Sequence, residues 1–359
     1  MLNRTILFRS ISALMVILGI SIGLTGNLSG IPSSAVAQEQ GNVPGNSVGN
    51  VSDAEIWRAI RHGVSGTVSI PDKKAAVLVQ SEGDDFRLFR SGPLSSYGGW
   101  SLLAMFLLLG VFFTLRGRIK IESGRSGRTV LRFNDLERFT HWLTASSFIV
   151  LGLSGLNTLY GKFVLMPVIG KSAFASFTLY AKMTHDYIGF AFMIGIALMI
   201  VIWVRENIPS KQDVSWMLQG GGLFSKGNHV PAKKFNAGQK LIFWATVLGG
   251  LSISYTGICL LFPFEFAPFA PTFTLLNVFG FDLPTTLSPV HETQLALMWH
   301  AVMALVLIVI IIAHIYIGTL GMEGAIEAVT TGEVDENWAR EHHSLWLEEI
   351  NQKSREPAE

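Results

Sequence analysis

The stretch WHAVMALVLIVIIIAHIYIG, residues 299–318, sets two histidines, His300 and His314, in otherwise apolar company. Twenty residues of helix rise about 30 Å, enough to cross the hydrocarbon core of a bilayer. An imidazole in hydrocarbon is rare, and an ionisable group within a span is a functional hypothesis by default. Taken singly, either histidine reads as a packing or hydrogen-bonding residue. Their spacing says more. Fourteen residues separate them, which is about 21 Å along a helix and only about 40° short of four full turns. They share one face, one near each end of the span.

The rest of the chain supports a membrane reading. Of 359 residues, 49% are hydrophobic and 15% charged, too apolar for an ordinary soluble domain. A net charge of +1 gives no excess of basic residues for nucleic acid, which is set aside. The single cysteine, Cys259, excludes an internal disulfide, an iron–sulfur ligand set and a C-x-x-C-H haem attachment. Any haem must be held non-covalently.

At the N-terminus, MLNRTILFRSISALMVILGISIGL places Arg4 and Arg9 before an apolar run. The sequence predicts a signal peptide over residues 1–37, cut after Ala37, with an uncleaved anchor as the alternative. Residues 38–96 then form a small exported, periplasmic region. It holds a GNVPGNSVGN linker, a short helix at DAEIWRAIRHG, and strands at GTVSIPDKKAAVLVQ and FRLFRSG around a turn at GDD.

Five apolar segments follow, near residues 97–115, 139–160, 183–204, 238–262 and 294–318. An outside N-terminus and five spans leave the C-terminus inside. The charges agree: the 116–138 loop carries seven Arg and Lys residues, whereas the 263–293 loop carries none. The tail from Glu323 to Glu359 reads as acidic, partly helical and cytoplasmic.

Two more histidines lie at span ends: His141 in RFTHWL at the inner level and His185 in KMTHDYIGF at the outer level. The fifth span runs outside to inside, so topology pairs His141 with His314 and His185 with His300. Such pairs suit two b haems, each iron clamped between imidazoles of different helices. Zinc fits less well, since it wants three or four ligands at one point. Gly152, Gly155, Gly189 and Gly195 could admit a wide macrocycle or serve helix packing. His62, His229, His291, His342 and His343 read as solvated loop, cap or tail residues. Arg132 and Arg138 could neutralise haem carboxylates, or simply express the positive-inside bias.

RFNDLERFTHWL with LSGL after it, ENIPSKQDVSWML, KKFNAGQKLIFW, the His300–His314 spacing and GEVDENWAREHHSLW together resemble the gamma subunit, a cytochrome b, of membrane-bound respiratory formate dehydrogenases. The likeness covers roughly residues 130–350. The signal, the exported region and the 97–115 span depart from the four-helix members and look like a longer subfamily, with VSIPDKKAAVLVQ and SGRTVLRFN among its marks.

The resemblance implies an all-α integral membrane fold: a four-helix di-haem cytochrome b bundle over residues 139–322, plus one extra N-terminal transmembrane helix. It implies that His141 and His314 bind the inner haem b and His185 and His300 the outer one. It further implies that Asn236, Gly238 and His314 meet a quinone on the cytoplasmic side. Asn236 can hydrogen-bond a quinone carbonyl and also reads as a helix N-cap. The implied partners are an iron–sulfur beta subunit and a molybdenum or tungsten alpha subunit, which would hold the formate-oxidising site, in the bacterial inner membrane. A higher oligomer of that complex is compatible with the likeness. Two other readings stay open: a di-haem anchor of a hydrogenase or thiosulfate-type reductase, and a histidine-relay transporter, which would want buried carboxylates along a path.

Overall fold

The computed structural model describes residues 81–224 and 227–355. The expected signal, linker, 53–63 helix and 66–80 strands lie outside the described residues.

Within them, five helices are long and apolar enough to cross a membrane: Asp85–Arg116, Asp135–Val164, Lys171–Trp203, Ala237–Leu261 and Pro289–Gly321. The first is built of α1 (Ser81–Phe89), a π-helical turn (Arg90–Leu94) and α2 (Ser95–Arg116). The FRLFRSG segment is therefore helical and not a strand, and the GDD stretch lies inside α1. Among the described residues no strand pairs with it, and the helix of the span propagates backward through it. Pro93, which has no N–H to give, sits within the π turn.

The four-helix core follows as α3 (Asp135–Val164), α5 (Lys171–Trp203), α7 (Ala237–Leu261) and α9 (Pro289–Tyr316). The short α4 (Met166–Ile169), α6 (Lys211–Leu218) and α8 (Phe269–Asn277) lie in the connections. Helix α3 packs on α5, α5 on α7, α7 on α9, and α2 on α9. Between α3 and α7 the sequence rhymes. FND-LE and FNAGQ each place an Asn at the N-cap, Asn134 and Asn236, whose side chain accepts from the backbone N–H three residues on. Glu137 and Gln239 return the bond, giving two capping boxes. The preceding Phe133 and Phe235 stack at 5.9 Å between ring centres.

Small residues set the helix spacing, as they do in lipid, where helices gain little from hydrophobic burial against one another. A Cβ on Gly195 would lie 2.5 Å from Thr144 Oγ1, one on Gly249 2.8 Å from Leu307, and one on Gly250 2.7 Å from Ile196. Gly195 is thus a packing residue. Midway along the bundle Phe192, Ile196, Ile253 and Leu307 form a buried apolar layer.

One end of the bundle is capped. The loop after α2 and the C-terminal tail pair β1 (Thr129–Leu131) with β2 (Glu333–Asp335) antiparallel. The tail continues from α10 (Glu327–Thr330) before β2 to α11 (Glu336–His342) and α12 (Ser344–Lys353) after it. Gly332, at φ 89°, turns the chain so that its carbonyl accepts from Arg132 N and Phe133 N. A Cβ there would stand 2.5 Å from Phe133 O, so only glycine serves. Trp338, Ala339, Trp346 and Leu347 of the tail join Trp203, Phe243 and Val247 of the spans in one buried cluster.

The acidic tail matches the basic loop. Arg125 pairs with Glu327 at 2.6 Å and Arg128 with Glu336 at 2.8 Å, while Asp335 and Glu341 accept loop backbone N–H groups at Ser126, Glu122 and Ser123. Arg132 is buried here, donating to Lys234 O and lying over the Phe133, Trp338 and Trp346 rings. Arg138 donates to Asp135 and to Thr330 O. Both arginines fasten the tail. His342 and His343, expected on the surface, are instead drawn into this cap: His343 is 1% exposed and its Nδ1 bonds Lys233 O at 2.7 Å. His342 packs on Trp338.

Candidate functional site

The four histidines of the spans stand at two levels. At the capped end, His141, near the start of α3, faces His314, near the end of α9, with ring centres 6.3 Å apart. At the opposite end, His185 of α5 faces His300 of α9 at 6.2 Å. His185 does not open its helix, as the sequence had suggested, but follows fourteen residues of it, because α5 starts at Lys171.

The imidazoles of the second pair are oriented by hydroxyls. His185 Nδ1 lies 2.8 Å from Ser154 Oγ, and His300 Nδ1 3.1 Å from Thr256 Oγ1. Each hydroxyl directs its own hydrogen to a carbonyl one turn back in its helix, at Val150 and Ser252. The oxygen is then left to accept, so each ring donates from Nδ1 and keeps the Nε2 lone pair for another group. At the capped end, His141 Nδ1 is buried with no hydrogen-bond partner among the described residues, and its ring stands edge-on to Trp142. Trp142 is anchored to the tail through Val329 O. A buried nitrogen without a partner calls for one.

A cavity of about 450 Å³ opens beside the His185–His300 pair. That is within the size range of cofactor sites. Gly152, Gly155, Gly189 and Gly257 line it along with Phe148 and Phe192. Gly155 and Gly257 bring bare backbone close to the histidines: a Cβ on them would lie 3.7 Å from His185 Cε1 and 3.5 Å from His300 Cε1. Arg90, Lys182 and Asp186 supply the charge of its wall.

Of the remaining site candidates, Asn236 uses its side-chain oxygen to cap α7. The space left by Gly238 is faced by the Trp216 ring, 3.0 Å from where a Cβ would be. The small cavity beside Asn236 is lined by Asp213, Trp216, Phe235 and Lys240 among others, and by neither Gly238 nor His314. Among the described residues no three His, Cys, Asp or Glu side chains converge on one point.

The model of the family described as prokaryotic cytochrome b561 matches residues 132–332, more than half the chain. The chain belongs to that family. It is also 28% identical over 232 residues to the formate dehydrogenase cytochrome b556(fdo) subunit of Escherichia coli K12, covering 64% of this chain and 98% of that one. The nitrate-inducible formate dehydrogenase cytochrome b556(Fdn) subunit of the same strain is 26% identical over 62% of this chain and 92% of its own. A formate dehydrogenase cytochrome b556 subunit of Haemophilus influenzae is 26% identical over 64% and 87%.

A prokaryotic cytochrome b561 is a membrane cytochrome b, and haem b is the group it implies. The residues fit that group. With metal–nitrogen bonds of about 2 Å, two imidazoles on opposite sides of one iron stand about 6 Å apart between ring centres. Both spacings agree with that figure, and both pairs join different helices, as a flat ring between helices requires.

What the sequence left unread here were Ser154, Thr256 and Gly257, and the contribution of Arg90 to the cavity wall. A hydroxyl in an apolar helix wants an acceptor, so Ser154 and Thr256 were visible signals, but their partners lie on other helices.

Proposed function

We propose that this chain is the membrane-anchoring cytochrome b subunit of a formate dehydrogenase, holding two b haems and delivering electrons to a quinone. The observation that carries the reading is the pair of imidazole pairs at 6.3 and 6.2 Å. His141 and His314 hold the haem of the capped end, His185 and His300 that of the opposite end. When bound, haem iron takes up and releases single electrons, so two levels about 21 Å apart along α9 link the two faces of the membrane.

The chain's own residues do the rest. Ser154 and Thr256 keep Nε2 of the outer imidazoles free to ligate. The apolar layer of Phe192, Ile196, Ile253 and Leu307 excludes water between the levels. The resemblance assigns the quinone to Asn236 and Gly238 at the start of α7, together with His314 near the end of α9. Asn236 retains its amide N–H₂ for a quinone carbonyl while its oxygen serves the cap.

The names of the relatives favour formate dehydrogenase over a hydrogenase or thiosulfate-type reductase. With one cysteine this chain cannot ligate clusters, so an iron–sulfur subunit and a molybdenum- or tungsten-bearing subunit supply formate oxidation. The basic 116–138 loop supports a cytoplasmic location for the capped end, the quinone site and the tail, and with it a periplasmic region at residues 38–96 behind a signal at 1–37. A histidine relay is disfavoured: the buried Glu137 is committed to Trp203 and Lys234, and Glu292 to the backbone of α8.

The test is His300→Ala in the intact complex. One haem spectrum and formate-driven quinone reduction are lost, while formate oxidation by artificial acceptors persists. Full quinone activity would overturn the proposal.

A further inference from the structure

We propose that Arg90, on the extra N-terminal helix, is an anion-binding residue of the outer cavity and takes a carboxylate of the haem held there. The inference rests on the reading of His185 and His300 as ligands of that haem.

Phe86, Arg90 and Leu94 all line the cavity. They recur every four residues, which is one face of a helix, and the π turn of Arg90–Leu94 keeps that face turned to the cavity as the chain enters the bilayer. The placement is held by specific contacts. Tyr160 Oη of α3 donates to Ser95 O at 2.9 Å. Gly98 lies so close to the bundle that a Cβ on it would stand 2.6 Å from both Leu305 Cδ1 and Tyr160 Oη.

The cavity wall is mostly apolar and carries three charges, Arg90, Lys182 and Asp186. Lys182 and Asp186 neutralise each other, Nζ to Oδ2 at 2.6 Å. Arg90 has no carboxylate partner among the described residues. A b haem carries two propionate carboxylates, which in an apolar wall need cations. A guanidinium answers that need bidentately, where an ammonium offers a point charge.

The match to the cytochrome family begins at Arg132, so α1 and α2 lie before it. The extra helix therefore brings to the outer haem a charge that the matched four-helix portion does not contain. A positive group beside a haem favours the reduced iron, which carries one charge less.

The experiment is a spectroscopic redox titration of the intact complex carrying Arg90→Gln. The haem that His300→Ala removes shifts to a lower midpoint potential, the other haem keeps its potential, and haem content is unchanged. Arg90→Lys, which keeps the charge, restores most of the shift. An unshifted potential in Arg90→Gln would mean that Arg90 meets only water or lipid headgroups, and would overturn the proposal while leaving the ligand assignment intact. A wild-type complex with no haem dependent on His185 and His300 would instead overturn the reading on which it rests.

Discussion

Ser154 Oγ of α3 lies 2.8 Å from His185 Nδ1 of α5, and the serine passes its own hydrogen to Val150 O. One hydroxyl thus fixes the ring of a histidine on a neighbouring helix. Partners of this kind typically govern metal affinity by 10- to 100-fold. Ser154→Ala should weaken retention of the outer haem by about that factor, read as haem lost from purified protein on dilution. Retention equal to wild type would show that packing alone orients the ring.

Asn236 serves two ends, and two substitutions separate them. Serine is as good an N-cap as asparagine, whereas alanine costs about 1 kcal/mol. Asn236→Ser should keep thermal stability and raise the KM for quinone, because the amide N–H₂ is gone. Asn236→Ala should do both kinds of damage. Unchanged quinone kinetics in Asn236→Ser would confine Asn236 to the cap.

Arg132 lies over three aromatic rings, Phe133, Trp338 and Trp346, and such a contact is worth about 2 kcal/mol when shielded from water. Arg132→Met should loosen the tail, speeding its cleavage by protease severalfold, with both haem potentials unchanged. A shifted potential of the inner haem would revive the role of a carboxylate partner for this arginine.

The cap should also weaken in acid. Burial pushes His342 down to about 4 and His343 well below its ordinary value, the charge of Arg132 adding to the latter. Burial alone would raise Asp335 and Glu341. Hydrogen bonds from Asn337 and Ser126, and from Ser123 and Glu122, more than offset it and hold both carboxyls low. All four groups bind protons more readily unfolded than folded, so stability rises with pH across their range. The histidine contribution is complete above about pH 6.5 and the carboxylate contribution above about pH 4.5. The protection factors of amides in residues 333–347 should therefore fall first as pH drops below about 6.5, and again below about 4.5. Protection independent of pH over that range would contradict this balance of groups.

Much of this architecture was written in single-residue patterns. Hydrophobic length announced the spans, and the fourteen-residue step from His300 to His314 put two imidazoles on one face of α9. The direction of each span then told His141 from His185 by depth. What stayed illegible depended on contacts between distant segments. The tail histidines looked like surface residues because nothing local shows that β1 and β2 pair across two hundred residues and bury His343. Arg132 looked like part of a topogenic charge cluster because two of its aromatic partners, Trp338 and Trp346, come from α11 and α12. FRLFRSG looked like a strand because a short run with Phe86, Leu88 and Phe89 beside a GDD turn fits a strand as well as the end of a long helix. Gly152 and Gly195 could not be told apart in sequence, yet the first lines a cavity and the second meets Thr144.

The most direct test of the whole account is the amount of haem b per polypeptide in the purified complex, counted by reduced pyridine haemochrome spectra. Two equivalents are expected, falling to one in either His141→Ala or His185→Ala. A wild-type value of one or none, or two equivalents persisting in both variants, would contradict the assignment of one haem to each histidine level.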